Sequence, residues 1–147
     1  MFASIVVGTD GSQTANEAVR QAVALARQLG ARLEIVSAYE PVSSARLRDE
    51  AQQVPADLQW MVNPREDVDA TLRDAAEVAQ EAGVKSETYA RQGDPADAIL
   101  DVAEERGADL IVVGNKGRTG AKRFLLGSVP NKVSHHAPCS VLIIRTT

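Results

Sequence analysis

The sequence predicts an α/β fold in which a five-stranded parallel sheet is covered by helices on both faces. Three observations carry this prediction. Five short apolar runs alternate with segments whose apolar residues recur every three or four positions, which is the order strand, helix, strand. A glycine follows each helical segment, where a left-handed residue often ends a helix. Two of the apolar runs lack polar positions, as strands buried on both faces do.

The five predicted strands are short and rich in β-branched residues, which favours strands over helices. They are SIVVGT (4–9), LEIVSA (33–38), SETYAR (86–91), DLIVVG (109–114) and SVLIIR (140–145). The first and fourth contain the continuous apolar stretches, so we place them in the middle of the sheet. The third is half polar, which favours an edge.

Three segments between these strands have apolar residues on one helical face, and residues typical of helix ends flank them. The segments run over 15–29, 68–82 and 96–103, and the glycines after them are Gly30, Gly83 and Gly107. Ser12 is the expected N-cap of the first helix. Asp94 and Pro95 supply an N-cap and a proline at the first helical position of the third.

The segment 41–65 breaks this rhythm with three prolines and mixed polarity. We interpret it as a loop insertion within a single domain that spans residues 1–147, a length that suits one domain with a core of its own. The sequence leaves open whether this loop closes over a ligand.

Composition narrows the classes of partner. Sixteen cations stand against twenty acids, for a net charge of −4, which argues against nucleic-acid binding. No apolar run approaches the roughly 20 residues of a membrane span, and the N-terminus lacks the pattern of a signal peptide. The single cysteine, Cys139, excludes an intrachain disulfide and is expected to be a small buried filler. We therefore expect a cytoplasmic protein without a membrane or nucleic-acid partner.

One segment departs from the acidic average. Residues 112–133 contain four of the ten glycines and five cations, with no acid. Glycines allow the backbone to turn several N–H groups toward one point. Ser128 is the expected N-cap of a following helix, whose first amides form an anion site. This combination favours a small phosphate-bearing ligand.

The position of this segment supports that interpretation. The two central strands end in VVGTDGS (6–12) and VVGNKG (112–117), and ligands of open α/β sheets bind beyond the carboxyl ends of the strands, where the strand order reverses. The chain contains neither the GxxxxGK[ST] motif of P-loop proteins nor the GxGxxG turn of dinucleotide folds.

The pattern Gly-x2-Gly-x9-Gly-Ser, from Gly114 to Ser128, together with VVGTDGS closely resembles the universal stress protein family in its nucleotide-binding branch. The resemblance extends from Ile5 to Ile144, and VVGNKG with LLGSVP resembles the actinobacterial type. It implies an open, Rossmann-like sheet of order 3-2-1-4-5. It also implies ATP as ligand, accompanied by Mg²⁺, a regulatory or sensor role in a stress response, and a homodimer formed through the C-terminal strand 140–145.

The resemblance also implies nucleotide contacts at individual positions. At the ends of the first, second and fourth strands these are Gly8, Thr9, Asp10, Ala38, Val113 and Gly114. The acid is expected near the adenosine, and Ala38 is expected to face the adenine. For phosphate and ribose the positions are Gly117, Gly127, Ser128 and Val129. The loop positions are Asn115, Lys116, Arg118, Thr119 and Gly120; many members have serine at the position of Asn115.

Several alternatives stay open at this point. Some actinobacterial relatives are cyclic-AMP binders, so cAMP competes with ATP as the expected ligand. A slow ATPase or phosphotransferase ranks lower, because no positioned base is evident and no catalytic residue is assigned. A purely structural role is the remaining possibility. His135 and His136 lack the neighbouring ligands of a metal site and are expected to cap a helix end.

Overall fold

The computed structural model describes residues 2–39, 64–115 and 127–146. Its elements follow the predicted alternation. They are β1 Ser4–Gly8, α1 Gln13–Leu29, β2 Arg32–Tyr39, α2 Pro64–Glu81, β3 Ser86–Gln92, α3 Pro95–Glu105, β4 Leu110–Gly114, α4 Ser128–His136 and β5 Ser140–Ile144. The interpretation of 41–65 as a loop extends two residues too far, because α2 already begins at Pro64; the rest of that segment lies outside the described residues.

All strand pairs are parallel, and the sheet has the order β3-β2-β1-β4-β5. This confirms the predicted order, with β1 and β4 in the middle and β3 at an edge. Ile5 lies opposite Leu33 on one side and Leu110 on the other. The order therefore reverses at β1, and its junction with β4 is the point where an open α/β sheet leaves a crevice.

Alternate residues of the central strands build two separate cores. Ile5 and Val7 pack in the cluster beneath α1 and α2, whereas Val6 packs with residues of α3 and α4. All three are fully buried. Because successive side chains of a strand point to opposite faces, the continuous apolar sequence of β1 is what a sheet with helices on both faces requires.

The helix ends follow the local signals in most places. The Ser12 Oγ accepts a hydrogen bond from the Ala15 N–H at 3.2 Å, and the Asp94 carboxylate accepts one from the Asp97 N–H at 3.1 Å. Pro95 occupies the first turn of α3, as predicted. The glycines after α1, α2 and α3 all have positive φ, between 62° and 74°, which is the left-handed conformation expected there.

Two further local predictions are wrong. Ser128 is the first residue of α4 and Gly127 is its N-cap, without a side-chain cap bond. The Gly127 N–H is fixed by the Asn115 carbonyl at 2.9 Å, so a distant contact sets where this helix begins. Cys139 is half-buried rather than buried, because it precedes the edge strand β5. No helix within the three described ranges is both long and apolar enough to cross a membrane.

Candidate functional site

A cleft opens at the carboxyl ends of β1 and β4, on the face of the sheet that α3 and α4 cover. Its walls are largely apolar and enclose about 100 Å³. The lining residues contributed by β2, α3 and β4 are Val36, Ala38, Pro95, Ile99, Val113 and Gly114. The volume is small beside the roughly 300–1,000 Å³ of sites that enclose a whole drug-sized ligand. The apolar part of the cleft, here called the slot, therefore encloses less than a complete nucleotide.

Gly8 and Ile99 approach each other closely in the wall of the cleft. A Cβ at position 8 would lie 2.4 Å from the Ile99 Cδ1 and 2.9 Å from its Cγ1. Glycine is therefore needed here for space. Ile99 itself is 4% exposed, so this side chain is held in the wall by its packing.

The exit from β1 forms a tight polar turn at the mouth of the cleft. The Thr9 N–H donates to the Val36 carbonyl at 2.9 Å, which prolongs the pairing of β1 with β2. The Ser12 N–H then donates to Oδ1 of Asp10 at 2.9 Å, and the Gly11 N–H donates to the Thr9 hydroxyl at 3.2 Å. Gly11 has a φ of +82°, which favours glycine. These bonds hold the Asp10 carboxylate at a fixed place beside the apolar slot.

The start of α4 also borders the cleft, where Val129 and Pro130 line it. Helix geometry leaves the first-turn amides without intrahelical acceptors, and here these include the amides of Ser128 and Val129. The first turn carries no acid, so the positive end of the helix dipole stays uncompensated from within the helix. An anion is the natural partner of such a helix start.

Asn115 links this helix start to two strands. Its N–H donates to the Ile144 carbonyl of β5 at 2.9 Å, and its own carbonyl accepts from the Gly127 N–H at 2.9 Å. The side-chain oxygen accepts from both the N–H and the hydroxyl of Thr146, each at 2.9 Å. The side chain predicted as a nucleotide contact thus turns its oxygen toward the C-terminal segment.

A lysine bridges the two helices that flank the cleft. The Lys132 ammonium of α4 lies 2.9 Å from Oδ1 of Asp97 and 3.3 Å from Oδ2 of Asp94, at the start of α3. The bond to Asp97, followed by the bond to Asp94, raises the pKa of Lys132. The Asp97 backbone N–H, followed by Lys132, lowers the pKa of Asp94. This cation of the basic segment is therefore engaged by acids of the protein itself.

The structure brings together most of the predicted contacts that it describes. Gly8, Thr9, Asp10, Ala38, Val113, Gly114 and Val129 all line the cleft. Gly127 and Ser128 stand at the adjoining start of α4. The predictions for Lys116, Gly117, Arg118, Thr119 and Gly120 fall outside the described residues.

Sequence reasoning missed five lining residues, which are Ala15, Val36, Pro95, Ile99 and Pro130. A signal existed for those of α3. Because α3 follows the carboxyl end of a parallel strand, its N-terminus must lie at the same edge of the sheet as the other strand exits. The GDPADAIL segment could have been placed at the crevice on that ground.

Comparison with known proteins agrees with this architecture. The model of the universal stress protein family matches residues 1–145. The universal stress protein Rv1636 of Mycobacterium tuberculosis is 40% identical over 99% of this chain and 98% of its own length.

Two similar structures were solved with nucleotides. A universal stress protein in complex with cAMP is 36% identical, with a TM-score of 0.74 over 99% of both chains. A universal stress protein from Archaeoglobus fulgidus in complex with dAMP is 25% identical, with a TM-score of 0.66 over 97% of this chain and 98% of the other.

Proposed function

Because this chain belongs to the universal stress protein family, we propose that it binds an adenine nucleotide, with ATP as the first candidate, and serves as a cytoplasmic regulator of a stress response. The observation that carries the proposal is the apolar cleft beside the start of α4 at the β1–β4 junction. One side of that site suits a flat ring, and the other suits a phosphate.

In this proposal the apolar part of the site recognises the base, and the start of α4 recognises the phosphate. Ala38, Val36 and Ile99 offer apolar contact to a base, and Asp10 stands at the mouth, where a carboxylate can accept a bond from a ribose hydroxyl. The amides of Ser128 and Val129 then face the phosphate side. Gly8, Thr9, Val113, Gly114 and Gly127 complete the proposed set of contacts among the described residues.

The second candidate ligand is cAMP. It is favoured by the similar protein solved with cAMP at 36% identity, and the dAMP complex of another relative also contains a single phosphate. A monophosphate needs fewer anion-binding groups than ATP does. The number of phosphates that the site accepts therefore separates the two candidates.

We propose a binding role without catalysis. Of the described residues that line the cleft, Asp10 alone has a titratable side chain, and its Oδ1 already accepts the Ser12 N–H. General acid–base chemistry needs a group free to exchange a proton with the substrate. A trace ATPase or phosphotransferase activity ranks below binding for this reason.

Mg²⁺ would enter with ATP rather than occupy a site built by the protein. No group of three or more His, Cys, Asp or Glu side chains in the described ranges is arranged to hold a metal ion. Mg²⁺ is commonly bound through substrate phosphates and one or two carboxylates. Asp10 is the carboxylate at the cleft that could assist.

We further propose a homodimer that pairs along β5. This strand forms one edge of the sheet, and Leu142 on it is 40% exposed. An apolar edge strand left open invites pairing with another chain, and a second copy would cover it.

Two measurements test the proposed ligand. Mass spectrometry of the small molecules released by denaturing the purified protein should identify an adenine nucleotide. Calorimetric titration with ATP, cAMP and GTP should then rank them, with an adenine nucleotide first. Replacing Ala38 with Phe should fill the slot and abolish binding, whereas Ala24→Phe on the exposed side of α1 should leave it unchanged. Equal affinity in both variants would contradict the placement of the site.

A further inference from the structure

Asn115 and Thr146 form a hydrogen-bonded clasp at the phosphate side of the site. The Asn115 side-chain oxygen accepts both the N–H and the hydroxyl of Thr146 at 2.9 Å, and both residues are half-buried. The two positions are 31 residues apart, so the fold and not the local sequence brings them together. Thr146 is not among the residues that line the cleft.

The clasp holds the residue that fixes the start of α4. The Asn115 carbonyl accepts the Gly127 N–H at 2.9 Å, and the Asn115 N–H donates to Ile144 at 2.9 Å. Gly127 is the N-cap of α4. A rotation of the Asn115 backbone would therefore move the helix start relative to β4, and Thr146 opposes that rotation through the side chain.

The position of Gly127 matters because the strength of a hydrogen bond falls quickly as its distance and angle depart from the ideal. An amide donor loses most of its bond when the acceptor moves beyond about 3.5 Å or the angle falls below about 120°. The amides that follow Gly127 are the donors proposed above for the phosphate. Small displacements of this helix start would weaken the phosphate contact without changing the apolar slot.

We infer that Asn115 and Thr146 are positioning residues for the phosphate side of the ligand, an inference that rests on the proposed nucleotide binding. The C-terminal segment after β5 thereby contributes to affinity without lining the cleft. Asn115 acts through the placement of Gly127, not through a bond from its side-chain oxygen to the nucleotide.

A graded series of variants tests this role. Asn115→Ala removes both bonds to Thr146, Thr146→Val removes the one from the hydroxyl, and Thr146→Ser keeps both. Thr88→Val makes the same chemical change on the exposed edge strand β3 and is the matched control. Calorimetry measures the affinity of each variant for ATP and for adenosine, which lacks phosphate. Amide hydrogen exchange measures the protection of Gly127 without any ligand.

The clasp predicts a specific pattern. Thr146→Val should weaken ATP binding about threefold and Asn115→Ala about tenfold, which is the range for one and two neutral hydrogen bonds. Adenosine affinity should stay within about twofold in every variant. Exchange at Gly127 should accelerate in the same order, and Thr146→Ser and Thr88→Val should match the unmodified protein.

Other outcomes would overturn the inference. If Asn115→Ala weakens ATP binding while Thr146→Val does not, the Asn115 side chain acts through a contact other than the one with Thr146. If ATP and adenosine weaken together, the variants loosen the whole site. If the unmodified protein binds neither compound, the proposed function fails, and exchange at Gly127 still decides about the clasp: equal rates in Thr146→Val and Thr88→Val would refute it.

Discussion

At the scale of single residues, Gly8 and Ile99 pack so closely in the wall of the cleft that a side chain at position 8 would overlap Ile99. Gly8→Ala would place a methyl group 2.4 Å from the Ile99 Cδ1. We expect a loss of about 1–3 kcal/mol in the free energy of unfolding, the usual cost of an overpacked site. Urea denaturation of Gly8→Ala, Ile99→Ala and the double variant measures it. The double variant should lose less than the sum of the two single losses; strict additivity would show that the side chains do not meet.

A second prediction concerns the buried carboxylate of Glu34, whose side chain has no exposed surface. It accepts a bond from the Arg32 Nε at 2.6 Å and one from the Tyr89 hydroxyl at 3.0 Å. Burial, followed by the bonds to Glu87 and Glu34, raises the pKa of Tyr89, so the phenol remains a donor at neutral pH. Removing Arg32 would leave a buried charge with poorer compensation.

We therefore expect Arg32→Met to lower the free energy of unfolding by about 2 kcal/mol, although Arg32 is itself half-exposed. The Tyr89 hydroxyl still donates to Glu34, and the Arg106 Nε lies 3.9 Å from its carboxylate, so both limit the loss. Glu34→Gln in the same background should recover part of it. The control is Arg20→Met, which breaks the exposed pair with Glu17 and should cost below about 1 kcal/mol. Similar losses in both arginine variants would mean that burial of Glu34 has no energetic consequence.

At the scale of secondary-structure elements, the start of α3 depends on Asp94. Its carboxylate accepts the Asp97 N–H and faces Lys132, so Asp94→Ala should cost about 1 kcal/mol, the usual value of an N-cap. Because the pKa of Asp94 is lowered from its usual value near 3.8, the stabilisation is complete above that pH. It is lost as the pH falls through the lower folded-state pKa.

Thermal or urea unfolding between pH 2 and pH 7 checks this prediction. The difference between Asp94→Ala and the unmodified protein should be constant from pH 5 to pH 7 and shrink below pH 4. Asp101→Ala removes an exposed carboxylate from the middle of the same helix and should change stability by less than about 0.5 kcal/mol. A difference at Asp94 that grows in acid would contradict the assigned cap.

The same elements show how far the sequence could carry the fold. Asp94 and Pro95 act on their own helix, so their roles were predictable from neighbouring positions. The start of α4 was misplaced by one residue, because the bond from Gly127 to Asn115 joins segments that local patterns do not connect. Ile99 lies in the apolar stripe predicted over 96–103, but its contact with Gly8 depends on how α3 lies across β1. Helix and strand propensities depend on neighbouring residues, whereas the cleft is formed by contacts between residues far apart in the sequence.

At the scale of the whole molecule, the site follows from the sheet topology. Parallel strands deliver their exits and the starts of the following helices to one edge. After β1 the chain turns to α1 on one face, whereas α4 packs on the other. The helices that follow β1 and β4 therefore lie on opposite faces of the sheet, and the cleft lies between them at the β1–β4 junction. The predicted strand order therefore located the crevice, and the packing of α3 and α4 set its dimensions.

The far edge of the same sheet yields the last prediction, which concerns assembly. Leu142 on β5 and Leu29 at the end of α1 have nearly equal exposures, 40% and 41%, but only Leu142 lies on an edge strand. If two copies pair along β5, Leu142→Lys should place a charge in the interface and shift the protein to monomers in sedimentation velocity. Circular dichroism should stay unchanged, since an exposed lysine is compatible with an edge strand. Leu29→Lys adds the same charge elsewhere and should leave the association intact. If both variants sediment as dimers, the contact between copies lies on another surface; if the unmodified protein is a monomer, the proposed dimer is refuted.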